Sequence, residues 1–265
     1  MPLIDSHCHL DAEEFDPDRD AVIARAQVAG VQAQVVPAVT AASWAKLRAV
    51  CAAAPGLYPA YGLHPLFLAE HRPEHLALLG EWIERERPCA IGECGLDFFV
   101  EGLDEADQQR YFAGQLQLAR EFDLPVIVHA RRAVDAVILA IRKVGRLRGV
   151  VHSFAGSAEQ AAQLQSLDFL IGLGGPVTYA RAQRLRRLAA TVPLQQLLLE
   201  TDAPDQPDAA IRGQRNEPAR LRTVLDTIAA LRDAPAASIA AQTTANAQRL
   251  FGGLPDVLPD TAGPG

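Results

Sequence analysis

The chain alternates two patterns of hydrophobic and polar positions. Short runs rich in β-branched residues, typical of buried strands, are separated by longer amphipathic segments with helical spacing. The eight predicted strands are residues 3–5, 33–36, 57–63, 89–93, 125–129, 149–152, 169–173 and 196–201. The predicted helices are residues 19–29, 42–53, 73–87, 105–121, 133–144, 158–167 and 179–190, with two more at 217–231 and 237–251. This alternation predicts parallel strands joined by helices.

Eight strand and helix units predict an α/β fold of the (β/α)8 TIM barrel type, which takes about 250 residues. We therefore expect one barrel domain over residues 1–251 and a disordered tail over 252–265, which is rich in Gly and Pro. The rival architecture is a doubly wound open sheet, but no glycine-rich turn follows the first predicted strand. The glycines of residues 172–175 follow the seventh strand, where a barrel often holds phosphate, although turn formation is the simpler interpretation.

Composition indicates in which cellular compartment the chain lies and which partners it can bind. No apolar run reaches the roughly 18 residues of a membrane span, and the first strand begins at Leu3, which leaves no room for a signal peptide. Four cysteines without paired spacing indicate reduced thiols, so we expect a cytoplasmic protein. The net charge of −7 argues against a sequence-independent basic grip on nucleic acid and favours small or single-stranded substrates over long duplex. No obligate protein partner is evident.

Residues that commonly bind metals follow the ends of six predicted strands. In a barrel the carboxyl ends of the strands form one edge, where reacting groups lie. Side chains alternate along a strand, so His7 and His9 point to the same side. The residues at these strand ends are His7, His9, His64, Glu93, His129, His152 and Asp202. This arrangement predicts a metal site at the carboxyl edge of the barrel.

Imidazoles with a carboxylate between them suit two divalent ions bridged by an oxygen. Glu93 is the natural bridge. The carboxylated lysine used in related barrels is excluded, because the only lysines, Lys46 and Lys143, lie in predicted helices. Two such ions lower the pKa of a shared water and orient an anionic substrate, which is hydrolysis chemistry. Zinc, manganese, iron and magnesium all remain possible on this mixed ligand set.

Seven sequence segments carry a resemblance to a known family. They are Asp5-Ser-His-Cys-His9, Gly62-Leu-His-Pro65, Gly92-Glu-Cys-Gly-Leu-Asp97, Pro125-Val-Ile-Val-His129, His152-Ser-Phe154, Glu200-Thr-Asp-Ala-Pro204 and Arg215-Asn-Glu-Pro218. With these segments the chain resembles the TatD family of metal-dependent deoxyribonucleases, in the amidohydrolase-like superfamily, over nearly its whole length. Cys94 stands where the family more often has an aliphatic residue. The loop 205–211 resembles a less characterised bacterial subgroup of hydrolases, which leaves the substrate open.

The resemblance implies the metal ligands and the role of His64, and the other roles below follow from the position and chemistry of each residue. The implied metal ligands are His7, His9, Glu93, His129, His152 and Asp202. Asp202 and Glu93 would be catalytic, Asp202 also as the base that accepts the proton of water. His64 would contact the substrate phosphate. Arg131 would hold a phosphate oxygen or lie on a helix face. Glu200 is expected to support the site, and Asn216 to cap a helix beginning at Glu217.

The leading hypothesis is a hydrolase that uses two divalent ions to cleave phosphodiester bonds in DNA. An alternative is hydrolysis of another ester, an amide or a lactone, because the same barrel serves many chemistries. A further alternative is a non-catalytic metal-holding barrel that acts through a partner. This alternative is disfavoured because structural metal sites are closed, and a structural metal needs neither Asp202 and His64 nor an open barrel mouth. The natural substrate, the metal, the choice between exonuclease and endonuclease, and the oligomeric state stay open.

Overall fold

The computed structural model describes residues 1–254. Its strands are β1 (Leu3–Asp5), β2 (Val31–Pro37), β3 (Leu57–Tyr61), β4 (Ala90–Asp97), β5 (Val126–Arg131), β6 (Gly149–Val151), β7 (Phe169–Leu173) and β8 (Leu197–Leu199). Its helices are α1 (Arg19–Val28), α2 (Trp44–Ala53), α3 (Glu74–Glu86), α4 (Glu105–Phe122), α5 (Val134–Val144), α6 (Ala158–Gln165), α7 (Gln183–Thr191), α8 (Leu221–Arg232) and α9 (Ala236–Phe251). All eight predicted strands are confirmed, and the limits of β1 and β7 are those predicted.

The strands form one sheet in which neighbours follow chain order from β1 to β8. Every pair whose register is resolved is parallel. The end of β8 bonds to the end of β1, because the N–H and the hydroxyl of Ser6 each donate to the carbonyl of Leu199 at 3.0 Å. The predicted (β/α)8 barrel fold is therefore confirmed.

The chain folds as two compact units, which we call the terminal unit and the central unit. The terminal unit is Met1–Gln34 with the chain from Leu173 onward, and the central unit is Val35–Gly172. In the terminal unit, the buried Asn246 of α9 donates to the carbonyls of Leu194 and Leu197 at 2.8 and 2.9 Å. These bonds satisfy backbone groups that burial would otherwise leave unpaired at the start of β8.

Two buried side chains hold the segment that follows β3 in the central unit. The indole N–H of Trp44 donates to the carbonyl of Gly62 at 3.1 Å. The amide of Gln115, on α4, accepts from the N–H of Leu63 at 2.7 Å and donates to the carbonyl of the same residue at 3.1 Å. Because both partners are buried, these bonds fix the backbone just before His64.

Helix α7 begins later than its sequence pattern predicts. Residues Gly175–Thr178 form a 3-10 turn, and the α-helix starts at Gln183 instead of residue 179. A Cβ on Gly175 would lie 2.1 Å from the carbonyl oxygen of Gln206. The glycine is therefore required by the close approach of two loops, which favours the turn interpretation of residues 172–175 over a phosphate site.

The prediction that Asn216 caps a helix at Glu217 is wrong. A 3-10 turn, Pro218–Arg220, precedes α8, and Glu217 is the residue before it. Asn216 is buried, and its amide donates to the carbonyls of Thr201 and Asp205 at 2.9 and 2.8 Å. Its role is to hold the loop that follows β8, a long-range contact that the local sequence does not reveal.

The structure bears differently on the expected domain, the expected tail and the absence of a membrane span. The single domain over 1–251 stays a prediction, and residues 255–265 of the predicted tail lie outside the described residues. Among residues 1–254, no helix has the length and hydropathy needed to cross a membrane.

Gly62 offers a test of the close packing between β3 and β4. A Cβ on Gly62 would lie 2.6 Å from the carbonyl carbon of Gly92 and 2.7 Å from the carbonyl oxygen of Glu93. Gly62→Ala should lower the free energy of unfolding by about 1–3 kcal/mol or more, because only backbone could move to relieve the overlap. In urea unfolding, the control Gly80→Ala should match or exceed wild type, because Gly80 is helical and its nearest neighbour is Leu118 Cδ2 at 3.4 Å. Equal stability of both variants would contradict the packing described.

Candidate metal centre

Three of the predicted ligands come together in the terminal unit. His7 and His9 follow β1, and Asp202 follows β8. The Nε2 atoms of the two histidines are 3.2 Å apart, and they lie 3.3 and 3.6 Å from Oδ1 of Asp202. His7 and Asp202 are buried, and His9 is half-buried. The backbone fixes the arrangement, because the N–H of Asp202 donates to the carbonyl of His7 at 2.9 Å and the N–H of His9 donates to Ala203 at 2.7 Å.

Asp5 holds the backbone on both sides of this donor set. Its carboxylate accepts from the N–H of His7 at 3.2 Å and from the N–H and hydroxyl of Thr201 at 3.0 and 2.6 Å. Complete burial is the main influence and raises the pKa of Asp5 to about 7, although these hydrogen bonds lower it. Asp5 therefore connects the loop after β1 to the loop after β8, and it fixes the backbone on which His7 and Asp202 lie.

The other predicted ligands come together in the central unit around one oxygen of Glu93. Oε1 of this buried carboxylate lies 2.7 Å from Nε2 of His152, 3.0 Å from Nε2 of His64 and 3.2 Å from Nδ1 of His129. The facing nitrogens of His129 and His152 are 3.4 Å apart. A carboxylate this deeply buried is stable only with such partners, because desolvation of a charge is costly.

Asp97 determines which nitrogen of His129 faces Glu93. Its Oδ2 lies 2.9 Å from Nε2 of His129. A carboxylate accepts, so Nε2 of the imidazole carries a proton, and Nδ1 is the nitrogen that would bind a cation beside Glu93. Burial raises the pKa of Asp97, but the hydrogen bonds from His129 and from the N–H groups of Phe99 and Val100 outweigh it, and the pKa falls to about 2.

His64 has the opposite arrangement. Its Nδ1 accepts from the N–H of Leu66 at 3.1 Å, so the neutral ring carries its proton on Nε2, which faces Glu93. Burial is the main cause that lowers the pKa of His64, against the attraction of Glu93. A neutral ring with its N–H facing Glu93 acts as a hydrogen-bond donor, and substrate contact by His64 stays a prediction.

The donor sets fit divalent cations. Nitrogen or oxygen ligands about 2.1 Å from a tetrahedral zinc lie about 3.4 Å apart. The separations among His7, His9 and Asp202 run from 3.2 to 3.6 Å. Those among Glu93, His129 and His152 run from 2.7 to 3.4 Å. Each set brings together electron-pair donors, Nδ1 of His129 among them, and a cation is the partner that such a set accommodates.

Arg131 and Glu200 are not members of either donor set. Arg131 is the last residue of β5 and not part of a helix face, and its guanidinium stacks on Phe99 at 3.7 Å. Glu200 is buried, and its N–H donates to the carbonyl of Leu173 at 3.2 Å.

Sequence reasoning missed three supporting residues. Asp5 and Asp97 belong to the motif segments, but the sequence alone assigns neither of them a role. Asp97 lies four residues after Glu93 on β4, and strand alternation places both side chains on one face. Gln206, whose amide donates to Oδ2 of Asp202, follows in the next loop and carried no signal. Strand alternation could have identified Asp97, and only the folded loop shows Gln206.

Comparisons with known proteins show which family the sequence matches. The sequence profile of the family described as TatD related DNase matches residues 4–252. The uncharacterized metal-dependent hydrolase YjjV of Escherichia coli is 41% identical over 253 residues, which cover 94% of this chain and 97% of that protein. The 3'-5' ssDNA/RNA exonuclease TatD of Erwinia tasmaniensis is 34% identical over 257 residues, covering 94% of this chain and 99% of that protein.

Solved structures show the same fold. The crystal structure of the TatD homolog YjjV superimposes with a TM-score of 0.91 at 40% identity, covering 94% of this chain and 97% of that one. A TatD family hydrolase from Entamoeba histolytica gives a TM-score of 0.84 at 19% identity, covering 95% of this chain and 98% of that one, which supports the fold alone.

Asp97→Asn tests whether Asp97 fixes the tautomer of His129. The amide oxygen of asparagine can still accept from Phe99 and Val100, so the loop should stay folded. The NH₂ group cannot accept from Nε2 of His129, so Nδ1 should no longer present a lone pair. Zinc affinity, measured by competition with a chromophoric chelator, should fall about 10- to 100-fold.

The matched control for this test is Asp104→Asn. Asp104 is exposed and caps α4 by accepting from the N–H of Asp107 at 2.8 Å, a role that asparagine fills equally well. Its zinc affinity should equal that of wild type. If Asp97→Asn also binds zinc as wild type does, the role assigned to Asp97 is incorrect.

Proposed function

The chain belongs to the TatD-related DNase family, and on that basis we propose that it is a metal-dependent hydrolase that cleaves phosphodiester bonds in single-stranded nucleic acid. The observation that carries the proposal is the pair of buried donor sets, each built from imidazoles and one carboxylate. The substrate class is supported by the relative from Erwinia tasmaniensis, named as a 3'-5' ssDNA/RNA exonuclease. It is also supported by the net charge of −7, which disfavours a grip on long duplex.

We assign one divalent ion to each donor set. His7, His9 and Asp202 would hold the first ion. A second ion would be held by Glu93, His129 and His152. The further expectation that Glu93 bridges the two ions stays a prediction. Zinc, manganese, iron and magnesium remain candidates for the metal.

Divalent ions bound there would supply Lewis acidity and a water of lowered pKa. The side chains of the chain perform the remaining tasks. His64 directs its Nε2 proton into the site, where it can donate to a phosphate oxygen. Asp202 offers a carboxylate oxygen that can accept the proton of the attacking water. Asp5 and Asp97 keep these groups in place through the hydrogen bonds described above.

A phosphodiester is favoured over the amide, ester or lactone alternative, because the nuclease relative is 34% identical over nearly the full length of both chains. A non-catalytic role is disfavoured, because His64 supplies a proton donor that a structural metal does not need. The cytoplasmic location and the absence of an obligate protein partner stay predictions.

Activity of two variants tests the proposed function. Metal-loaded wild type should cleave single-stranded DNA, and chelation should abolish the activity. Glu93→Ala removes the carboxylate next to three imidazoles and should lower turnover at least 100-fold together with metal content. Asp202→Asn keeps an oxygen ligand but removes the base, so turnover should fall about 100-fold or more while metal is retained.

The control for these variants is Asp226→Asn, because Asp226 is exposed on α8 and pairs with Arg222. It should keep wild-type turnover. Single-stranded and duplex DNA, RNA and a simple carboxylic ester should be compared in parallel. Full activity in exhaustively metal-free protein, or near-normal turnover of Glu93→Ala, would disprove the proposed function.

A further inference from the structure

An exposed aromatic ring lies in the loop after β4 in the central unit. Of the nine phenylalanines in the chain, all within residues 1–254, only Phe67 and Phe99 are exposed, by 37% and 43%. The neighbouring Val100 is 39% exposed. Large apolar side chains left in water at the carboxyl end of a barrel strand, where such enzymes bind their substrates, mark a surface suited to a ligand.

Two consecutive arginines cover this ring. The guanidinium carbon of Arg131 lies 3.7 Å from the centroid of the Phe99 ring, and that of Arg132 lies 4.6 Å from it. Arg132 adopts a left-handed backbone with φ of +55°, which is uncommon for a residue other than glycine. The three side chains form what we call the Phe99 cluster: Phe99, Arg131 and Arg132.

Among residues 1–254, neither guanidinium of the Phe99 cluster pairs with a carboxylate or donates a hydrogen bond to another residue. Arg181, which lies 5.6 Å from the Tyr179 ring, also has no ion pair among the described residues. The three other arginines that stack on rings differ, because each also forms an ion pair at 2.7 to 3.1 Å. These pairs are Arg85 with Glu86, Arg110 with Asp107, and Arg215 with Asp18. In a chain of net charge −7, two adjacent cations without an acidic partner are available to an external anion.

The Phe99 cluster is tied directly to the candidate metal centre. Oδ1 of Asp97 accepts from the N–H groups of Phe99 and Val100 at 2.9 and 3.1 Å, while its Oδ2 faces His129. The N–H of Phe98 also donates to the carbonyl of Arg131 at 2.9 Å. One buried carboxylate thus holds both a metal-binding imidazole and the exposed ring, so the cluster has a fixed position beside the site.

We propose that the Phe99 cluster is a subsite for a nucleotide that flanks the scissile phosphate of a single strand. Unpaired bases stack on aromatic rings and on guanidinium planes, and arginine pairs with phosphate oxygens. The cluster offers one base a planar surface and its phosphate two cations. A duplex keeps its bases stacked on each other, so the cluster selects single strands. This inference rests on the proposed function for the identity of the scissile bond.

Binding of a labelled oligonucleotide tests the subsite without relying on turnover. Fluorescence anisotropy would use a mixed-sequence single-stranded 10-mer and the matched duplex, with every variant made in the metal-loaded Asp202→Asn background. Phe99→Ala should weaken binding of the single strand about 10-fold or more and leave duplex binding unchanged. Arg132→Gln should also weaken it and should reduce the salt dependence of log Kd by about 0.7, the loss of one phosphate contact.

Matched controls are Leu139→Ala and Arg146→Gln. Leu139 is 68% exposed on α5, and Arg146 is exposed in the loop before β6. They remove an exposed apolar side chain and an exposed cation away from the cluster, so both should bind within about two-fold of the parent.

The outcomes separate this inference from the proposed function. Single-strand affinity of Phe99→Ala within two-fold of the parent would overturn the subsite, even if the wild type proves to be a nuclease. Equal loss on the single strand and the duplex, or no measurable binding by the parent, would overturn it as well. If Phe99→Ala loses single-strand binding while the wild type cleaves no phosphodiester, the subsite stands and the proposed function fails.

Discussion

Four buried carboxylates, which lie on the strands or just after them, determine how the site is built. Asp5, Glu93, Asp97 and Asp202 are all at most 8% exposed. A charge so removed from water is costly unless N–H groups, imidazoles or cations surround it. In each unit of the chain this requirement draws histidines and backbone N–H groups around a carboxylate, and the donor sets for metal follow from it.

Each unit contains one buried carboxylate that accepts hydrogen bonds from a loop next to the donor set. Asp5 accepts from the backbone of His7 and from Thr201. Asp97 accepts from the backbone of Phe99 and, through its other oxygen, from the ring of His129. In both cases one carboxylate joins a loop to a residue that would bind metal. The loops of a barrel are usually its more variable parts. Here buried hydrogen bonds fix the backbone of two of these loops.

Much of this could be predicted from the sequence, because strand period and strand ends are local signals. The pattern located all eight strands, and it placed His7, His9, Glu93, His129, His152 and Asp202 at or just after predicted strand ends. Strands β4 and β5 run further than predicted, so Glu93 and His129 lie within them. What it could not predict depends on contacts between distant residues. The proton position on His64 follows from its hydrogen bond with the N–H of Leu66. The late start of α7 follows from the packing of Gly175 on Gln206. The role of Asn216 follows from its hydrogen bonds to a loop eleven to fifteen residues away.

We propose above that each of the two donor sets holds one divalent ion. Elemental analysis of protein reconstituted with zinc and freed of excess metal tests it most directly, on wild type and on the double variant His7→Ala/His9→Ala. The double variant removes two of the three ligands of the first set and keeps Glu93, His129 and His152 in place. Wild type should bind about two ions per chain and the double variant about one. Equal metal content in the two proteins, or one ion or fewer per chain in wild type, would contradict the proposal.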